Sequence, residues 1–64
     1  MIEVSVGNEV LRTVKGKFES GAEASEFVDL LIKEGYDLNE IYLYFTNTGI
    51  LKTEKEILES LGLK

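Results

Sequence analysis

The sequence predicts an α+β fold, an N-terminal β-hairpin packed on three short α-helices in the order ββααα. Three observations carry this expectation. Residues 2–6 alternate Ile2, Val4 and Val6 with Glu3 and Ser5, the period of a half-buried strand. A start signal paired with a stop signal then occurs three times: Ser20 with Glu23 before Gly35-Tyr36, Asp37 with Glu40 before Gly49-Ile50, and Thr53 with Glu56 before Gly62-Leu63. In each, a capping side chain and a glutamate three positions on can satisfy free N–H groups, and a left-handed glycine followed by a hydrophobe can close the helix. Finally, Ala24, Phe27, Val28, Leu31 and Ile32 recur at three- and four-residue spacing, the stripe of an amphipathic helix.

Taken in order, the hairpin covers residues 2–18. Gly7-Asn8 suits a two-residue type II′ turn, a register that sets Glu3 opposite Arg12 and Val4 opposite Leu11. The second strand has Leu11 and Thr13 on the face of Ile2, Val4 and Val6, with Val10, Val14 and Phe18 opposite. Gly16 marks a bulge that re-aims Phe18. A lone hairpin is marginal in water and must lie on the helices.

The first helix spans about 22–34, with acids in its first turn and Lys33 in its last, as the helix dipole prefers. Residues 38–48 fit two periods. As a helix, Leu38, Ile41, Tyr42 and Phe45 share a face; as a strand, Ile41, Leu43 and Phe45 alternate with Tyr42 and Tyr44. The flanking punctuation favours the helix. The strand alternative is a ββαβα two-layer sandwich with residues 40–46 as a third strand. The last helix, about 54–61, buries Ile57, Leu58 and Leu61 and is too short to hold without tertiary packing.

Composition limits the function classes. The 64 residues form a single small domain near the lower limit for a self-sufficient core, with neither cysteine nor histidine to supply disulfides, the usual zinc ligands or an imidazole base. Catalytic residues, metal sites and cofactors are therefore not expected, and Gly16-Lys17 lacks the rest of a phosphate loop. The N-terminus is neither a signal peptide nor a membrane anchor, which makes the cytoplasm the default location. The net charge of −5 disfavours nucleic acid and anionic membranes. It is unevenly spread: residues 1–18 hold two acids against three bases, a net +1, and residues 19–64 hold ten acids against four lysines, a net −6.

Two resemblances follow from the helical reading. The last two predicted helices, joined by TGILKTE with Gly49 in the turn, resemble a helix-turn-helix motif, which implies a DNA-binding regulator. Phe45 stands where that family has a small residue, and Glu54, Glu56 and Glu59 crowd the helix that would approach phosphates. Residues 26–61 are similar to the three-helix ubiquitin-associated domain, whose Met-Gly-Phe/Tyr loop is matched by Gly35-Tyr36 but has Glu34 at the methionine position. That likeness implies ubiquitin contact through Gly35, Tyr36, Leu58 and Leu61.

The expected function is a non-enzymatic acidic protein-interaction or regulatory module. Partner-binding candidates are Tyr36, Leu43 and Tyr44, the last two because a helix over 38–48 turns them away from its buried face; with a strand there, Tyr42 and Tyr44 form the surface. Homodimerisation through residues 2–6 is a second route, because a two-stranded ribbon has free edges. An inhibitor that imitates nucleic acid through Asp37, Glu40, Glu54, Glu56 and Glu59 is a further alternative.

Overall fold

A computed structural model describes residues 1–62. The chain runs β1 (Ile2–Gly7), β2 (Arg12–Phe18), α1 (Gly21–Lys33), β3 (Ile41–Phe45), β4 (Ile50–Thr53) and α2 (Glu54–Ser60). The strands form one antiparallel sheet in the order β2-β1-β3-β4. The fold is therefore α+β with four strands and two helices. It is not ββααα, and the ββαβα alternative, which has a strand at 40–46, stops one strand short.

The difference originates at residues 37–45. The expected start signal does form: Asp37 N–H donates to Glu40 Oε1 at 3.0 Å, and Glu40 N–H donates to the Asp37 carbonyl at 3.0 Å. One turn results, and then the chain extends. β1 at the sheet centre needs a second partner, and Ile41, Leu43 and Phe45 meet Val6, Val4 and Ile2 across the ladder. Burying those pairs outweighs a local helical preference that Tyr and Ile support only weakly. Gly49, read as a helix stop, has φ 71° and closes the β3–β4 hairpin instead, its N–H donating to the Phe45 carbonyl at 2.8 Å.

The first hairpin is also longer than expected. Gly7 pairs with Arg12 and Glu3 with Lys17, leaving residues 8–11 as the loop. Asn8 decides this register, because its Oδ1 accepts from the N–H groups of Val10 and Leu11, both at 2.8 Å. Arg12 tightens the loop from the other side by donating to the carbonyls of Asn8 and Glu9. Gly7, at φ 145°, is required here: a Cβ would stand 2.2 Å from the Leu11 carbonyl oxygen. A bulge falls between Val4 and Ser5, where the register skips Lys15. Gly16 sits beside it, and a Cβ there would come within 2.8 Å of the Phe18 ring, which packs on Phe27 at 5.1 Å between centroids.

Helix α1 begins on Ser20, whose Oγ accepts from Glu23 N–H at 3.3 Å. It ends in a Schellman motif, with Tyr36 N–H donating to Leu31 O and Gly35 N–H to Ile32 O, Gly35 taking φ 109°. Helix α2 starts with a complete capping box on Thr53 and Glu56. Gly62 takes φ 77° after it, and the Leu63 half of that expected stop lies outside the described residues.

The core consists of Val4, Val6, Ala24, Val28, Leu31, Ile41 and Leu43, with Ile2, Phe18, Phe27, Tyr36, Phe45 and Ile57 packed against it. Both helices thus cover the Ile2–Val4–Val6 face of the sheet. The two rows pointing the other way are Val14–Ser5–Tyr42–Thr53 and Lys17–Glu3–Tyr44–Leu51.

Candidate functional site

The opposite face of the sheet carries no helix, and an antiparallel sheet of this kind normally turns polar side chains to water there. This one does not. Val14 on β2, Tyr44 on β3 and Leu51 on β4 are 48, 36 and 40 % exposed. Tyr44 and Leu51 are direct cross-strand partners, so they form one continuous apolar step. Tyr42, in the neighbouring row, is only 8 % exposed although no helix covers it.

Arg12 contributes to that burial. Its guanidinium carbon lies 5.1 Å from the centroid of the Tyr42 ring, a cation–π contact, and the same guanidinium is anchored on the loop carbonyls at 3.1 Å and 2.7 Å. Small neighbours allow it, because Gly7 faces Arg12 and Ser5 faces Tyr42 across β1. The face therefore has a stacked Arg12–Tyr42 centre, an apolar step at Tyr44–Leu51, and Glu3 opposite Lys17 beside it. Flat aromatic and aliphatic area with a held guanidinium is suited to burying a complementary protein surface. The ring of Tyr44 also reaches toward the β3–β4 loop, its hydroxyl 4.0 Å from the position of a Cβ on Gly49.

Of the residues singled out from the sequence, Tyr44 lies on this surface. Leu43 is in the core, paired with Val4, because a strand turns alternate residues to opposite faces. Tyr36 is half-buried against the core, just after α1. Residues 2–6 have β2 on one side and β3 on the other, so the edge expected there for dimerisation is occupied; β2 and β4 are the edge strands. Arg12, Val14 and Leu51 complete the surface and were not among the candidates. Val14 was legible as pointing away from Ile2, whereas β4 is only four residues long and gave no periodic signal.

The strand at β3 replaces the helix expected over 38–48, which is the first helix of the helix-turn-helix likeness and the second of the ubiquitin-associated one. Two acids of the proposed nucleic-acid imitation are engaged locally. Glu40 accepts from Asp37 N–H, and Glu56 accepts from the N–H and hydroxyl of Thr53, which hold its pKa below the ordinary carboxylate value. Glu54 behaves oppositely: partial burial, and secondarily the nearby charge of Asp29, raise its pKa. Among the described residues no group of three or more potential metal ligands converges, and no helix is long and apolar enough to cross a membrane. No protein-family model, curated protein or solved structure matches the chain.

Proposed function

We propose that this chain is a non-enzymatic protein-interaction module whose contact surface is the open face of the sheet. The observation that carries this reading is the apolar step of Tyr44 and Leu51 on a sheet face that neither helix covers. The Arg12–Tyr42 stack supports it, because a guanidinium already held in place loses little freedom when a partner covers it.

The test compares the proteins retained by the intact chain with those retained by a Tyr44→Ser/Leu51→Ser variant of matching circular dichroism. Partners lost from the variant are the expected outcome. An identical set on both, or none on either, overturns the proposal.

A further inference from the structure

On the other side of the sheet, the helical layer is incomplete. Helix α2 has seven residues and none of them is fully buried. Helix α1 turns small residues, Gly21, Ala24 and Ser25, toward it, so the two helices do not close over the start of β1 and the end of β3. What remains is a groove of about 360 Å³ floored by Ile2, Leu43 and Phe45 and walled by Ile57, Leu58 and Leu61. That volume lies within the range of ligand-binding pockets.

Among the described residues the charges at this groove have one sign: Glu54 is the only ionisable lining residue, and Asp29 stands near enough to repel it electrostatically. Asp29 follows Ser25 by one helical turn on α1, so both acids belong to the same rim. Among the described residues no lysine or arginine lines the groove, and residues 19–64 are net acidic. An occupant must therefore be apolar where it meets the floor and positive where it passes Glu54 and Asp29.

We infer that the groove between α1 and α2 is a second interaction site, which takes a cationic amphipathic segment of a partner protein, its apolar side chains on Phe45, Ile57 and Leu58 and a lysine or arginine beside Glu54 and Asp29. This is helix-in-groove recognition, in which apolar anchors supply affinity and flanking charges supply orientation. An adjoining hollow, which shares Ile2, Phe45 and Ile57 with the groove, has both Glu19 and Lys52 in its wall. It lacks the charge pattern of the first.

The experiment titrates the isotope-labelled intact chain with a short amphipathic leucine–lysine peptide, and with the same peptide carrying glutamate in place of lysine, while amide shifts are followed. Saturable shifts at Ala24, Leu58 and Leu61 with the lysine peptide are expected, and the glutamate peptide should not bind. A Glu54→Lys/Asp29→Lys variant should weaken the lysine peptide by about tenfold or more. The Tyr44→Ser/Leu51→Ser variant should leave its affinity unchanged, which separates this site from the open-face reading. Equal binding of both peptides, shifts centred on Tyr44 and Leu51, or no saturable binding would each overturn the inference.

Discussion

The two faces of the sheet are made by the same residues alternating along the same strands, yet they are finished differently. On the covered face, Val4 and Ile41 are fully buried between the sheet and α1, and the core closes around them. On the open face, Tyr42 is buried with the Arg12 guanidinium reaching across from β2 to stack on its ring, and its neighbours Tyr44 and Leu51 stay partly exposed. The first face is held by the packing of the core. The second is held by a contact local to the surface, which leaves apolar area exposed. Burial and exposure are thus divided by the period-two alternation of the strands.

The largest expected effect tests that division directly. Ile41→Ala should cost about 2–5 kcal/mol, because it opens a cavity in the middle of the core. Tyr44→Ala should change stability by less than about 1 kcal/mol. Urea unfolding of both variants decides the matter, and a Tyr44 loss as large as that of Ile41 would make the open face part of the core. An intermediate effect comes from Arg12→Ala. Losing the stack on Tyr42 and the two loop hydrogen bonds should cost about 1 kcal/mol and expose the Tyr42 ring, read by tyrosine fluorescence quenching.

The smallest effect concerns the rim of the covered side. Glu54 has a raised pKa in the fold, so its ionisation opposes folding: stability is gained as pH falls through the raised folded value and given up above it. Glu56 has a lowered pKa, and its contribution is present above the unfolded value and lost as pH falls through the folded one. The two slopes oppose each other in mildly acidic solution. Glu54→Gln should therefore raise stability slightly near neutral pH, by a few tenths of a kcal/mol once solvent screening is allowed for, and steepen the acid loss that remains. A pH series of urea midpoints for the two chains measures it; a lower midpoint for Glu54→Gln at neutral pH would contradict the sign.

The surface around Tyr44 was half legible. Either reading of residues 38–48 put Tyr44 outside, but the helical one also turned Leu43 outward, and only pairing with Val4 shows that it is core. Arg12 could be seen as a charge on β2, and its ring partner could not. The two are thirty positions apart, and what joins them is the hairpin register set by Asn8.

Local signals in this chain acted where they were written. Ser20 and Thr53 cap helices, Asp37 and Glu40 form their turn, and Gly35, Gly49 and Gly62 all take positive φ. Such features depend on groups a few residues apart, so sequence alone determined them, along with β1, the stripe of α1 and the absence of histidine and cysteine. What followed each signal was decided by tertiary structure. The turn at Glu40 leads into a strand, the glycine at 49 closes a hairpin, and residues 50–53 pair with β3, because the central strand β1 buries most surface when β3 lies beside it and β4 completes the edge. The pairing of β1 with β3 joins residues about 35–43 positions apart, and it decides between two local periods that residues 38–48 fit equally.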